Sequence, residues 1–327
     1  MTEFMVYGCT GYTGRLVTEY AKSQGLPFIL AGRNAERVRA LGMKFDLRYR
    51  VFDISDPSTI DASLQGVRIL LNCAGPFKHT ARPLIEGCIR NGTHYLDVAA
   101  ELDSYFLADE LDQKAKEAKV MLMPGCGGSV PMLGCLAGYA VEGVQSPVAI
   151  DIALHIAGSM SRGSAVSAAG GLTTELLQCI DGALAKQEAS ATRNFDFKDG
   201  KGCVGCFPVT LPDLITIWKS TKVPNIRTFV HVSGDALPTE SLANLPDGPT
   251  MQQRDASPYH AAVKVTSQDG TVKHAVLHTV NGYTFTSQAS VEAVRQVLRG
   301  DAASGFQTPA AVLGVRFVES IAGSVME

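Results

Sequence analysis

The sequence predicts an α/β fold in which a doubly wound parallel sheet is followed by an α+β segment. In the first 125 residues, short apolar runs alternate with longer segments whose apolar residues recur at helical spacing. The runs are too continuously apolar for strands with one exposed face, which is typical of parallel strands covered by helices on both sides. After about residue 145 the strand candidates include runs with polar alternation, typical of antiparallel pairs. A length of 327 residues suits two domains.

Strands and helices are expected in strict alternation in the first part. The predicted strands are 4–7, 27–32, 48–53, 67–75, 94–99 and 119–123. The predicted helices are 13–23, 35–42, one that begins at Asp56-Pro57, 80–91 and 103–118. Asp56 followed by Pro57 is a favourable N-cap and first-turn pair, and Gly92 is a natural stop for the fourth helix.

The later part predicts a different mixture of elements. A long strand is expected over 146–158, a helix over 161–181, and a hairpin over 261–280 around Asp269-Gly270. Two further helices are expected over 286–299 and 309–322.

Composition narrows the class of protein. The net charge of −3 argues against nucleic acid or an anionic membrane as partner. The uncharged stretch 120–141 could span a bilayer by length, but prolines and glycines interrupt it, so a strand, a glycine loop and a helix are predicted instead. No secretory signal precedes the eight scattered cysteines, so reduced thiols and a cytoplasmic location are expected. The pair Cys203 and Cys206 lacks a second pair with zinc-site spacing and is interpreted as incidental.

The stretch YGCTGYTGRL (7–16) carries the main functional signal. Gly8 directly follows the first strand, Gly11 lies in the turn and Gly14 opens the first helix. This context predicts a dinucleotide site, in which the glycines permit a tight turn, a close approach of the backbone to a pyrophosphate, and close packing of helix and strand. Thr10 and Thr13 can add hydroxyl donors.

The ends of the next strands predict which dinucleotide binds. Arg33 stands where an NAD site usually has an acid, Asn34 follows it, and Arg37 lies one helical turn further on. A guanidinium can pair with a 2′-phosphate that an acid would repel, so NADP is the predicted cofactor. Asp53 ends the third strand on the adenine side. The turn after the fourth strand is expected near the nicotinamide; it comprises Cys73, Ala74, Gly75, Pro76 and Phe77.

Candidates for the chemical step lie near the carboxyl ends of later strands. Asp97, Glu101 and Ser129 are candidate substrate contacts, and Tyr283 is a candidate proton donor. Each also has a structural alternative, as a turn cap, an ion-pair partner, a helix cap or a packed ring. No Tyr-x-x-x-Lys pair is present, which argues against a short-chain dehydrogenase mechanism. His274 and His278 share a strand face but lack a third ligand, so no metal site is predicted.

Several motifs together resemble saccharopine dehydrogenase-like oxidoreductases. GCTGYTGRLV, AGRN, LNCAGPF, GTHYLDVAAE and MPGCGGSVP occur in the order of that family, and DLITIWKSTKVPNI and GYTFTSQASVEAVRQVL are similar to its trans-acting enoyl reductase branch. The resemblance implies a Rossmann-type domain over 1–125 and 286–327, interrupted by an α+β substrate or dimerisation domain over 126–285. It also implies that Tyr12 joins the glycine-loop residues in binding NADP.

The resulting prediction is an NADP-dependent oxidoreductase that reduces a C=C (enoyl) or C=N bond of a small organic metabolite. A non-catalytic NADP(H) sensor or scaffold is the alternative from another class. An opine- or saccharopine-type imine reductase is a third possibility, which would need arginines to converge on the substrate; the candidates are Arg162, Arg193, Arg227 and Arg254. A homodimer is expected through the antiparallel strands.

Overall fold

The computed structural model describes residues 3–171, 175–234, 245–300 and 302–327. The chain forms two compact units, and each is built from two separate segments. The first unit comprises Met1–Gly127 and Thr286–Gln307, and the second comprises Gly128–Phe285 and Thr308–Glu327.

The strands and helices have the following bounds. The strands are β1 Glu3–Tyr7, β2 Phe28–Gly32, β3 Tyr49–Val51, β4 Val67–Asn72, β5 His94–Asp97, β6 Met121–Met123, β7 Pro147–Ala157, β8 Leu177–Ile180, β9 Ala183–Lys186, β10 Arg193–Asp196, β11 Cys203–Pro208, β12 Asn225–Ser233, β13 Tyr259–Ser267, β14 Val272–Thr279, β15 Gly305–Phe306 and β16 Val325–Met326. The helices are α1 Tyr12–Ser23, α2 Ala35–Phe45, α3 Pro57–Leu64, α4 Phe77–Asn91, α5 Leu102–Glu110, α6 Asp112–Glu117, α7 Ser129–Val141, α8 Arg162–Gly171, α9 Asp213–Thr221, α10 Met251–Asp255, α11 Gly282–Arg299 and α12 Pro309–Val312.

The first unit contains a parallel sheet of seven strands in the order β15-β6-β5-β4-β1-β2-β3. The chain moves outwards from β1 to β3 and then returns to the other side of β1 with β4, which is a doubly wound arrangement. In β4, only Arg68 of six residues is not buried, as expected for a strand covered on both faces. The predicted α/β fold class is therefore confirmed.

Local sequence signals explain several helix boundaries in this unit. The Asp56 carboxylate accepts a hydrogen bond from the Ser58 N–H at 2.9 Å, so it caps α3 as predicted. Gly92 ends α4 in the left-handed conformation, with φ of 65°. The predicted helix 103–118 is divided into α5 and α6 at Leu111.

The second unit contains a mixed sheet whose main path is β10-β11-β12-β7-β13-β14-β16, with β8 and β9 attached to β12. Strand β7 pairs in parallel with β12 and antiparallel with β13. The predicted hairpin is present as β13 and β14, and Gly270 takes a φ of 87° in its turn. The stretch 120–141 forms β6, a glycine-rich turn and α7. Among the described residues, no helix is long and apolar enough to cross a membrane.

The predicted helix 161–181 is wrong in its second half. Helix α8 is followed by the hairpin of β8 and β9, whose two-residue turn is Asp181-Gly182; residues 172–174 of the prediction lie outside the described residues. Both turn residues have positive φ, 49° and 80°, as a tight hairpin turn requires.

The predicted helix 309–322 is also wrong over most of its length. It is reduced to α12 and a 3₁₀ turn at Phe317–Ser320, because Gly314 adopts a φ of 88° that ends the helical path. The expected placement of 308–327 in the first unit differs from the structure as well. This segment belongs to the second unit, where β16 pairs with β14.

Candidate functional site

The glycine loop and the turn after β4 meet at the carboxyl edge of the first sheet. Strand β1 pairs with β2 on one side and β4 on the other, so the strand order reverses at this point. Ligands of doubly wound sheets bind in the crevice outside such a switch point. The two turns lie so close that a Cβ added to Gly8 would be 2.7 Å from the Ala74 nitrogen.

Two of the three glycines are required by the protein itself. Gly8 has a φ of 80°, and its N–H donates to the Ala31 carbonyl at 2.9 Å. A Cβ on Gly14 would collide with the Gly8 carbonyl oxygen and lie 2.9 Å from the Cys9 Cα. These contacts explain a tight strand-to-helix turn without any ligand.

Gly11 differs from the other two glycines. It is exposed at the N-cap of α1, and a Cβ at this position would meet only the Gly8 carbonyl oxygen, at an ordinary 3.4 Å. Packing within the protein therefore does not require glycine here. A ligand that approaches the backbone at the start of α1 would require it, so this position fits a bound pyrophosphate. Tyr12 and Thr13 follow in the first turn of α1.

Arginines surround the glycine loop on the side of β2. The Thr10 carbonyl accepts hydrogen bonds from Arg15 Nη1 at 2.9 Å and from Arg37 Nη2 at 3.5 Å. Arg37 is therefore beside the loop. Arg33 is exposed at the end of β2. Asn34 caps α2 by accepting from the Arg37 N–H at 2.9 Å, so its side chain has a structural task as well.

Asp53 lies near Arg33 at the end of the third strand. Hydrogen bonds from Ser55, followed by the charge of Arg33, hold the pKa of the exposed Asp53 carboxyl below its ordinary value. The Ser55 N–H donates to this carboxylate at 2.8 Å. An ionised Asp53 can accept hydrogen bonds from ribose or adenine groups on this side of the site.

The turn Cys73–Phe77 is held by polar side chains beneath it. The Gly75-Pro76 peptide is cis. The Ala74 N–H donates to Asn72 Oδ1 at 2.9 Å, and the Thr80 hydroxyl donates to the Ala74 carbonyl at 2.7 Å. The turn is thereby fixed beside the glycine loop, and α4 begins directly after it.

Asp97 belongs to the same buried network. Its side chain has no exposed area and accepts hydrogen bonds from the Tyr95 hydroxyl and the Ala99 N–H at 2.9 Å and from the Gly125 N–H at 2.7 Å. Burial raises the pKa of Asp97 to about 6. The carboxylate thus positions the turns after β5 and β6, and this burial favours a positioning role over the substrate contact expected from the sequence.

Glu101 also has a defined structural partner. Its carboxylate accepts a hydrogen bond from the Lys78 N–H at 3.0 Å, in the first turn of α4. An acidic side chain at this position stabilises the helix N-terminus.

The cysteines near the turns after β1, β4 and β6 are not reactive thiols. Cys9, Cys73 and Cys126 are all buried. Burial raises the pKa of Cys9 to about 12 and raises the pKa values of the other two thiols. These groups stay protonated at neutral pH and contribute packing.

In the second unit, Ser129 lies near a carboxylate that the sequence reasoning missed. Asp213 begins α9 and has no exposed area, and burial raises its pKa to about 7. The Ser129 hydroxyl stabilises the charged form, but neither carboxylate oxygen has a hydrogen bond of good geometry within the described chain. No sequence signal distinguishes Asp213 from an ordinary first-turn acid, because its burial comes from tertiary packing.

Tyr283 is engaged within the second unit. Its hydroxyl accepts from the Ser161 N–H at 2.7 Å and donates to the Ser164 hydroxyl at 3.0 Å. The ring therefore holds the start of α8 in place, which is one of the structural alternatives to proton donation.

The switch-point loops and the arginines at the end of β2 together define a dinucleotide-binding domain of the Rossmann type. Residues 4–123 match the family described as the saccharopine dehydrogenase NADP binding domain. The resemblance noted in the sequence motifs is thereby confirmed.

Two curated relatives and one solved structure illustrate the similarity. A mouse saccharopine dehydrogenase-like oxidoreductase is 28% identical over 148 residues, which cover 39% of this chain and 34% of that protein. A trans-acting enoyl reductase of Mycobacterium leprae is 35% identical over 140 residues, which cover 39% of this chain and 33% of that protein. The matched parts thus span about a third of each curated relative. An apo saccharopine dehydrogenase (L-Glu forming) from Saccharomyces cerevisiae has a TM-score of 0.68 at 11% identity and covers 100% of this chain and 99% of that one, so it shares the fold.

Proposed function

We propose that the protein is an NADP-dependent oxidoreductase that reduces a C=C or C=N bond of a small organic metabolite. The observation that carries the proposal is the pair of turns at the switch point, where Gly11 alone of the three glycines is not required by packing. The family match over 4–123 supports a nicotinamide dinucleotide as the ligand of this edge.

The choice of NADP depends on the charges at the end of β2. Arg33 makes no ion pair within the described part of the chain, and Arg37 lies against the loop that would hold the pyrophosphate. Two guanidinium groups at this place can bind a 2′-phosphate with charge-assisted hydrogen bonds. Asp53 would serve the adenine side.

Bound NADPH would supply the hydride. The residues of this chain bind and orient it: the loop from Gly8 to Gly14 would hold the pyrophosphate, and the Cys73–Phe77 turn would contact the nicotinamide half. Asn72 and Asp97 accept hydrogen bonds from backbone N–H groups of the turns after β4, β5 and β6 and so hold these turns in place.

The arginines of the second unit favour an enoyl substrate over one with several carboxylates. Arg227 forms a bidentate pair with Asp151, with both contacts at 2.7 Å, and Arg162 pairs with Asp247 at 3.2 Å. Arg254 Nη1 donates to the Pro249 carbonyl at 3.0 Å, and Arg193 is exposed on β10. Arg193 Nη1 also donates to the Thr192 carbonyl, at 3.1 Å. Because all four arginines already have protein partners, they support a cluster for a saccharopine-type imine less well.

The test is a calorimetric titration of the untagged chain with NADPH and, separately, with NADH. We expect NADPH to bind at least about 10-fold more tightly than NADH, and the Arg33→Ala variant to lose most of this preference while NADH binding stays unchanged. Arg39→Ala is the matched control, because Arg39 is another exposed arginine of α2. Absence of binding by both dinucleotides would overturn the proposal. A confirmed site would then be screened with unsaturated acyl compounds and imines, with NADPH oxidation as the readout.

A further inference from the structure

Four histidines form a row across the sheet of the second unit. His231 is opposite His155 in the pairing of β12 with β7, His155 is opposite His260, and His260 is opposite His278. The centroids of adjacent rings are 4.9, 5.7 and 4.8 Å apart, in the same order. Because paired residues point to the same side of a sheet, the four imidazoles share one face.

The loop after β10 places a carboxylate against the centre of this row. The side chain of Asp199 is 9% exposed, and its Oδ2 lies 3.9 Å from His155 Nδ1. Phe197 packs beside them, with its ring centroid 5.5 Å from that of His155. The imidazole and carboxylate groups therefore meet in a largely dry environment.

Two ring nitrogens in this cluster lack hydrogen-bond partners. His155 is 2% exposed, and neither its Nδ1 nor the buried Nδ1 of His260 has a hydrogen bond among the described residues. The other nitrogen of His155, Nε2, is 2.8 Å from the Ser233 hydroxyl. Such a contact orients an imidazole and can leave the Nδ1 lone pair available, as in the outer sphere of metal-binding histidines.

We propose that His155, Asp199 and His260 bind a divalent transition-metal ion, with zinc as the representative. One ligand atom from each residue lies within 4.8 Å of the other two. Two imidazoles and one carboxylate are a ligand set that zinc accepts, with water or substrate in the fourth position. Tetrahedral zinc places its ligand atoms about 3.3 Å apart. Each distance between two ligand atoms of the cluster must therefore shorten by roughly 1.5 Å at most when zinc binds.

The protonation states suit this assignment. Burial, with the neighbouring positive charges, lowers the pKa of His155 to about 4, and burial also lowers the pKa of His260. Although burial acts in the opposite direction, hydrogen bonds from Lys201 keep the pKa of Asp199 below its ordinary value. Neutral imidazoles and an ionised carboxylate are the forms that bind metals.

Lys201 is the competing cation at this place. Its Nζ lies 3.2 Å from Asp199 Oδ2, and its side chain is 59% exposed. A metal ion would displace this ammonium group from the carboxylate. Removing the lysine charge should therefore leave zinc binding intact or strengthen it. If Asp199 instead serves only as the ion-pair partner of Lys201, the cluster would bind no metal.

The experiment titrates the untagged, chelator-stripped full chain with zinc chloride alone and follows the heat of binding. We expect one zinc per chain, with binding at least about 10-fold weaker in Asp199→Asn and His260→Gln. Lys201→Met should bind at least as tightly as the unmodified chain. His274→Gln, on β14 and outside the cluster, and Cys203→Ser, which removes the exposed thiol, are the controls and should bind normally.

A second readout uses cobalt(II), whose visible absorption reports its ligand geometry. Far-ultraviolet circular dichroism checks the fold of each variant, and Asp199→Asn decides the matter if His260→Gln does not fold. Unsaturable zinc binding, or unchanged affinity in Asp199→Asn, would overturn the proposal. A loss of zinc affinity in His274→Gln as large as that in His260→Gln would also overturn the proposal.

Discussion

Gly11 and Gly14 allow a test that separates the requirement for glycine in ligand binding from the requirement for glycine in folding. In Gly14→Ala, the new methyl group would collide with the Gly8 carbonyl and sit 2.9 Å from the Cys9 Cα. Because both neighbours are backbone atoms, relief requires movement of the whole turn. We expect a loss of about 3 kcal/mol or more in the free energy of unfolding, at the upper end of overpacking costs.

In Gly11→Ala, the methyl group has only one neighbour, at 3.4 Å, and φ is −73°, which alanine readily adopts. The expected cost is at most about 1 kcal/mol, because alanine is a poorer N-cap than glycine. The methyl group would instead occupy the space through which a pyrophosphate approaches the backbone. NADPH affinity should therefore fall at least about 10-fold, or about 1.4 kcal/mol.

The assay combines urea denaturation of the free protein with calorimetric titration of NADPH. Gly11→Ala should be nearly as stable as the parent but bind poorly, whereas Gly14→Ala should already be destabilised without ligand. If Gly11→Ala bound NADPH with unchanged affinity, the assignment of this glycine to cofactor approach would be refuted. If Gly14→Ala were fully stable, the packing argument for that glycine would fail.

Two other substitutions test buried and capping carboxylates. Asp213→Asn should be more stable than the parent at high pH. The folded-state pKa of Asp213, about 7, lies above the ordinary 3.8, so the protonated carboxyl contributes fully to the free energy of unfolding below about pH 4. This contribution is lost as pH rises through 7. The full difference, between pH below 4 and pH above 7, is about 4 kcal/mol. Urea denaturation at about pH 5 and pH 8 covers roughly 3 kcal/mol of it, so the variant's stability advantage over the parent should be larger at pH 8; the same advantage at both pH values would contradict the prediction. A fall in turnover despite this gain would indicate that Asp213 serves the reaction. Glu101→Ala should lower the free energy of unfolding by about 1 kcal/mol, because the Lys78 N–H loses its acceptor at the start of α4. Glu101→Gln keeps an acceptor oxygen and should retain most of the stability in the same urea assay.

Local signals were sufficient to predict six of the seven strands of the first sheet, whereas the short β15 at Gly305–Phe306 was not expected. Continuous apolar runs, the Asp56-Pro57 start and the Gly92 stop are each local features, and the structure confirms the strand-helix alternation that they predict. The prediction was weaker where short apolar runs could form either helix or strand. Leu177–Ile180 is such a run, and its Asp-Gly turn was the available signal for a hairpin.

The proposed metal ligands of the second unit could not be predicted in the same way. The row of histidines joins residues from four strands, and only the strand register brings them together. The sequence predicted that His278 shares a strand face with His274. The ring packed against His278 is that of His260, which lies 18 positions earlier in the chain and on the neighbouring strand. The burial of Asp97 and Asp213 likewise arises from packing that periodicity does not describe.

The last strands of the two sheets have a consequence for the order of events during synthesis. Strand β15 pairs with β6, and β16 pairs with β14, yet both are made only after residue 300 has left the ribosome's catalytic centre. Until then β6 and β14 lack the neighbours that pair with them in the finished protein. Such edges invite pairing with other chains, so slow translation of residues 302–327 would prolong a period of aggregation risk.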